Sequence, residues 1–225
     1  MTGAATLLSD VFGFDAFRPG QEEIVHAVAN GENVLAIMPT GGGKSLCFQL
    51  PALMRDGVTV VISPLIALMK DQVDTLLEKN IPAAFVNSTM SANEQYAVLD
   101  DVRAGRIKLL YAAPERFYAP SFDRLLSNMP PSMLVIDEAH CISEWGHNFR
   151  PEYLKLAIAA KALKVERVLA LTATATPTVV KDIIREFEIK PEAYVNTGFH
   201  RPNLFLAFTP TVASERIKVL TDRLD

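Results

Sequence analysis

Cysteine is scarce: Cys47 and Cys141 are the only two in 225 residues, and neither sits in a Cys-x-x-Cys pair. That excludes a disulfide framework and a zinc knuckle, and it fits two reduced, buried thiols in a cytosolic protein. No apolar run approaches the roughly 18 residues of a membrane span, and residues 1–14 carry no basic leader, so neither secretion nor a membrane partner is expected. Low-complexity tracts and internal repeats are missing as well. The four histidines, His26, His140, His147 and His200, show no metal-ligand spacing. Excess positive charge is also lacking: Lys and Arg number 22 against 26 Asp and Glu, leaving −4. A nucleic-acid binder usually shows a basic domain, so any DNA or RNA contact must come from a local patch.

What is present is an ordinary globular composition, 49% hydrophobic and 21% charged, on a chain long enough for one large domain or one domain and the start of another. Short aliphatic runs at 34–38, 58–62, 83–86, 107–112, 133–136 and 167–171 alternate with stretches of helical periodicity. Ile66, Met69, Val73, Leu76 and Leu77 form one apolar stripe, with Asp71, Asp74 and Glu78 facing away. Val179, Val180, Ile183, Ile184 and Phe187 form another. Ser91 and Glu94 predict a capping box, Gly105 a helix end, and Thr176-Pro177 an N-cap followed by a first-turn proline. Several runs are continuously apolar, as parallel strands covered on both faces must be. An open, doubly wound α/β sheet follows. After Phe187 the composition shifts: a linker, a strand-like run at 204–208 and a helical stretch from Ala213 read as the opening of a second, incomplete domain.

In such sheets ligands bind beyond the carboxyl ends of the strands. Polar clusters fall at four strand ends, 38–45, 63–64, 137–140 and 172–176, and together with the stretch that follows His140 they make four motifs. The first, Met38-Pro39-Thr40-Gly41-Gly42-Gly43-Lys44-Ser45, reads as a phosphate loop. Its glycines let the backbone approach phosphate oxygens, Lys44 reaches the β/γ-phosphates and the Ser45 hydroxyl holds Mg²⁺. The second, Asp137-Glu138-Ala139-His140, places one carboxylate for the metal and another to orient and deprotonate the attacking water. The third, residues 141–150, packs Trp145, His147, Phe149 and Arg150 into ten residues. The residue pattern fits a packed loop with Trp145 in the core, and it also fits a platform on which unpaired bases stack. The fourth comprises Ser63 and the Thr172, Thr174 pair, which can cap helices or contact phosphate and couple sites.

These motifs together resemble the N-terminal motor lobe of RecQ-type DNA helicases, with a match running from about Leu8 to Leu206. The resemblance implies a three-layer RecA-like P-loop NTPase fold with a mostly parallel sheet, ATP and Mg²⁺ as cofactors, and single-stranded DNA and duplex junctions as partners. Phe14-Asp15-Ala16-Phe17-Arg18-Pro19-Gly20-Gln21 is similar to the family's adenine-recognising motif, with Phe14 stacking on the base where tyrosine is common, and Arg18 and Gln21 beside it. Residues 38–45 are similar to its phosphate loop, with Met38 in place of the first glycine, and 137–140 to its DEAH box. Residues 63–71 and 113–116 resemble DNA-contacting motifs. Residues 141–150 resemble the aromatic loop that senses single-stranded DNA and gates ATP hydrolysis, His140 of the DEAH box joins the implied DNA-coupling residues, and Thr172-Ala173-Thr174 resembles the motif that couples hydrolysis to movement. The implied protein is a 3′→5′ helicase of recombination and repair, cytoplasmic and nucleoid-associated if bacterial. The division implied is a lobe over 1–198, with 199–225 as linker and start of a second lobe. No Gln-x-x-x-Arg-x-x-Arg occurs from 177 to 225, nor do the family's zinc-binding cysteines, so a lone lobe is expected to have little activity. The competing readings are a nucleotide- or DNA-binding module without turnover and an RNA helicase lobe.

Overall fold

The computed structural model describes residues 3–145, 148–198, 204–205 and 207–223. Seven strands, β1 (Val34–Ile37), β2 (Thr59–Ile62), β3 (Ala83–Val86), β4 (Leu109–Ala112), β5 (Met133–Ile136), β6 (Val168–Thr172) and β7 (Tyr194–Asn196), form one sheet of order β3-β4-β2-β5-β6-β1-β7. Every pairing is parallel. Nine α-helices accompany it among the described residues: α1 (Ala4–Asp10), α2 (Gln21–Ala29), α3 (Leu46–Leu53), α4 (Ile66–Glu78), α5 (Ala92–Arg103), α6 (Pro120–Asn128), α7 (Pro151–Ala162), α8 (Pro177–Glu186) and α9 (Arg216–Thr221). The chain steps from β1 past two strands to β2 and on to β3, then returns through β4, β5 and β6. Right-handed crossovers therefore put α3 and α4 on one face and α5 to α8 on the other. Phe48 of α3 and Gln72 of α4 both meet Tyr111 of β4 on the first face, and α1 and α2 each pack on α3 there.

The strands form where the sequence is continuously apolar, and β1, β2, β4, β5 and β6 are buried at every position. Their ends are punctuated as the local chemistry dictates. Ser91 and Glu94 complete a reciprocal capping box, Gly105 takes a left-handed φ of 71° just past α5, and Thr176 caps α8 through the Val179 N–H. Two expectations fail. Residues 204, 205, 207 and 208 form no strand, and Phe205 and Phe208 stand 94% and 93% exposed, because nothing among the described residues pairs with that run. On α4 only Met69, Val73 and Leu76 of the stripe are buried, while Ile66 and Leu77 lie at its edges in water. β7 was not expected; it has three residues, of which Val195 alone is buried.

The amino-terminal edge of the sheet is closed by side chains that satisfy backbone groups. Asn33 Oδ1 accepts from the Val168 N–H at 2.8 Å, and its Nδ2 donates to the Phe187 carbonyl at 3.0 Å. One side chain thus joins the start of β1 to the start of β6 and to the end of α8. Buried Arg167 donates to the Ser132 carbonyl at 2.8 Å and so ties β6 to β5. Asn33→Ala removes a donor and an acceptor together and is expected to cost about 1–2 kcal/mol. Thermal unfolding should then begin roughly 2–8 °C lower for a chain of this size. A midpoint within about 1 °C of the parent would mean that water replaces both partners.

Candidate active site

The four strands that carry the polar clusters are neighbours: β2, β5, β6 and β1 stand side by side in the middle of the sheet. The ladder continues past their ends. The Asp137 N–H donates to the Ile62 carbonyl at 2.9 Å, and the Met38 N–H to the Thr172 carbonyl at 3.1 Å. Residues 38–45, 63, 137–140 and 172–174 are thereby brought to one edge.

The phosphate-loop residues wrap the start of α3. Gly41 and Gly43 hold φ of 79° and 82°, and a Cβ at Gly42 would lie 2.9 Å from the Pro39 carbonyl, so the bend is open only to glycine. Gln21, 1% exposed, donates to the Gly43 carbonyl at 2.9 Å and accepts the Arg18 N–H at 2.8 Å. The Arg18 guanidinium donates to the Gly41 carbonyl. A cleft of about 460 Å³ opens beside this clamp, lined by Phe14, Arg18, Gln21 and Gly43 from one side and Leu68, Gln72 and Thr75 of α4 from the other. Phe14 presents a half-exposed ring to it.

A second cavity of about 230 Å³ shares Ser45, Leu68 and Gln72 with the first. Thr40, Lys44, Ser45, Ser63, Asp137 and Glu138 all line it. Lys44 Nζ rests on the Met38 and Pro39 carbonyls at 3.1 and 3.4 Å. Ser63 caps no helix; its hydroxyl donates to Asp137 Oδ2 at 3.1 Å, which corrects the capping reading. Glu138 adopts φ 51°, a left-handed conformation costly for a residue with a Cβ, and its N–H donates back to Asp137 Oδ1 at 3.0 Å. Its carboxylate lies 3.2 Å from His140 Nδ1. The same nitrogen is 3.0 Å from Thr172 Oγ1, which in turn donates to the Thr174 carbonyl at 3.0 Å. Thr172 is wholly buried and caps nothing, so this pair too departs from the capping reading. A larger groove of about 840 Å³ lies at the opposite edge of the sheet, where Arg55 and Arg167 are bound to backbone carbonyls, and it holds none of these residues.

The two carboxylates are driven apart. Burial and the charge of Glu138 push Asp137 upward, offset by the Glu138 N–H, Ser63 and Lys44. The hydrogen bond from His140 holds Glu138 down. Hard oxygen donors from Ser45 and from Asp137, itself the buried carboxylate pushed upward, suit a small divalent cation, which would relieve that carboxylate. Among the described residues no cluster of three His, Cys, Asp or Glu forms an independent metal site.

Trp145 is 78% exposed, so the core reading of that tryptophan is overturned. Phe149 is half-buried and Arg150 exposed beside it, and His147 lies outside the described residues. The loop is anchored at its base by Arg150 N–H to the Cys141 carbonyl at 2.9 Å, and α7 beyond it sends the buried Tyr153 hydroxyl to the Asp137 carbonyl at 3.0 Å. Sequence reasoning missed Tyr153, and it missed Gln72, whose amide donates to Ser45 Oγ at 3.0 Å while accepting from Tyr111. Gln72 falls on the buried face of α4 between Met69 and Val73, and a polar residue on an apolar stripe was the available signal.

The Cys141 sulfur at 3.8 Å and the Glu138 carboxylate push His140 up to about 9, against the opposing effect of burial. A folded value above histidine's ordinary 6.5 means that this contribution to stability is complete below 6.5 and is lost as pH rises through about 9. In the nucleotide- and metal-free chain, ring-proton NMR should place the His140 midpoint near that value, and Glu138→Gln should lower it by about one pH unit or more. A parent midpoint near 6.5 would remove the ion pair from the account.

Comparison with known proteins bears on the same residues. A family model described as DEAD/DEAH box helicase matches residues 18–183. The ATP-dependent DNA helicase RecQ of Bacillus subtilis is 50% identical over 203 residues, covering 89% of this chain and 34% of that protein. The ATP-dependent DNA helicase Q5 of Mus musculus is 47% identical over 207 residues, covering 88% and 21%. The chain thus spans about a third of the first of these and less of the second. Among solved structures, the DUF1998 helicase MrfA has the same fold, with a TM-score of 0.68 at 17% identity over 98% of this chain and 36% of that one. The chain belongs to the DEAD/DEAH box helicase family, and relatives 46–50% identical to it are RecQ helicases.

Proposed function

We propose that this domain is the ATP-hydrolysing motor lobe of a 3′→5′ DNA helicase that unwinds duplex DNA in recombination and repair. The observation that carries the reading is that Lys44, Ser45, Asp137 and Glu138, far apart in sequence, line a single cavity at the carboxyl edge of the sheet. The RecQ names of its relatives favour DNA over RNA as the substrate. Residues 1–198 form the lobe in this reading, and 199–225 lead into a second lobe that supplies the arginine finger. The strongly exposed Phe205, Phe208 and Ile217 then have a partner surface to cover them. The site of action is the cytoplasm, on the nucleoid in a bacterium; no described helix is long and apolar enough to cross a membrane.

Phe14, Arg18 and Gln21 receive the adenine in the larger cleft, and residues 39–45 hold the triphosphate at the opening of α3. Lys44 exchanges its two carbonyl contacts for phosphate oxygens. Ser45 and Asp137 are the residues that would hold Mg²⁺, which when bound neutralises charge on the β- and γ-phosphates. Glu138 stays ionised because His140 holds it so, which makes it a weak base well suited to orienting the attacking water and accepting its proton late. His140, Thr172 and Thr174 relay the state of Glu138 to β6, and Trp145, Phe149 and Arg150 meet single-stranded DNA at the adjoining loop.

ATPase assays with and without single-stranded DNA test the reading, on this chain and on a form extended by a second lobe. Glu138→Gln should lower kcat of the two-lobe form at least ~100-fold with nucleotide binding retained, whereas Lys44→Ala should lose binding. This chain by itself should turn over at under ~1% of the two-lobe rate, since an arginine finger is worth roughly 10³–10⁵. Trp145→Ala should abolish DNA stimulation and spare the basal rate. Full DNA-stimulated turnover by the isolated chain would reject the division of labour, and undiminished stimulation in Trp145→Ala would take that residue out of DNA sensing.

A further inference from the structure

Two hydrogen bonds join the segment after the acidic pair to the unit formed by β6 and α8. The first, from His140 to Thr172, has been described. The second lies three residues further on and involves a part of α8 with no role so far. Ser143 is 1% exposed, and its hydroxyl donates to Asp182 Oδ2 at 2.7 Å. The same Ser143 oxygen accepts the Trp145 N–H at 3.3 Å. Asp182 sits in the second turn of α8 with its side chain only 17% exposed, and its other oxygen is 3.2 Å from Arg185 Nη2. A helical aspartate paired with a surface arginine ordinarily lies in water. This one is mostly covered and turned toward a hydroxyl on another segment.

The indole of Trp145 stands largely in solvent, so its placement depends on its own backbone. That backbone is held by Ser143, and Ser143 by Asp182. α8 in turn opens at Thr176, directly after residues 172–174, and its cap bonds the Val179 N–H. Any displacement of the 172–176 segment is therefore carried along one helix to Asp182, and from there to the turn that presents Trp145. We propose that Asp182 is a positioning residue which, acting through Ser143, fixes the aromatic loop and sets how strongly DNA accelerates ATP hydrolysis, without setting the basal rate. The proposal rests on the motor reading above.

Trp145 is the only tryptophan, so its fluorescence reports this turn in the chain as it stands. Asp182→Ala should lower the emission anisotropy of Trp145. In the two-lobe form the same change should reduce DNA stimulation about tenfold, the scale of one hydrogen bond to a charged group, with basal kcat and KM for ATP unaltered. Asp182→Asn keeps an acceptor oxygen for Ser143 and should restore most of both signals. Arg185→Ala should change neither. If Asp182 works through Ser143, the double variant Ser143→Ala/Asp182→Ala should be no worse in stimulation than Asp182→Ala alone. Parent-level anisotropy and stimulation in Asp182→Ala, or losses that multiply in the double variant, overturn the proposal. So does a joint fall in basal rate and thermal midpoint, which would make Asp182 merely structural. If the parent itself shows no DNA-stimulated hydrolysis, the motor reading fails, and the anisotropy comparison still decides whether Asp182 holds Trp145.

Discussion

Burial of β1, β2, β5 and β6 on both faces constrains everything at the site. Strands so covered can exchange backbone hydrogen bonds only with one another, at a spacing of about 4.8 Å. The loops that leave their carboxyl ends therefore start within a few ångströms of each other, and the ladder extends one residue into them at Met38 and Asp137. Residues about a hundred positions apart are thereby held together by the sheet itself. The side chains that close the other edge, Asn33 and Arg167 among them, serve the same end by keeping the strands in register.

Within that edge, the charges oppose one another in a useful way. Asp137 is buried beside a second carboxylate and is pushed toward protonation, while Glu138 is drawn the other way by His140. An acid held in an unfavourable ionised state favours a cation, and one held firmly ionised favours a polarised water. The strained backbone at Glu138 is what lets two adjacent residues have such different surroundings.

Much of this was legible in the residues. Continuous apolar runs located six of the seven strands to within two positions, and the glycine-lysine-serine loop and the acidic pair marked the edge on which they meet. The failures have physical causes. β7 is too short to show a period, and its one buried residue, Val195, says little by itself. The run at 204–208 has strand-like composition, but composition alone does not supply a neighbouring strand. The capping assigned to Ser63 and Thr172 was a local inference; the Ser63 hydroxyl is taken by Asp137, far away in sequence, and the Thr172 oxygen meets His140 while its hydroxyl donates to the Thr174 carbonyl. Gln72, Tyr153 and Asp182 were missed for the same reason, since each acts across elements and carries no motif of its own.

The hydrogen bond from Gln21 to the Gly43 carbonyl has a bearing on selectivity. The side chain proposed to read the nucleobase is also a strut of the loop proposed to grip the phosphates, and a methyl group at Gly43 would collide with it. Base and triphosphate are then not sensed by separable modules. On the proposed reading, a nucleotide carrying the wrong ring would disturb Gln21 and loosen the loop at its far end, which would tie base selection to the mechanics of the phosphate grip.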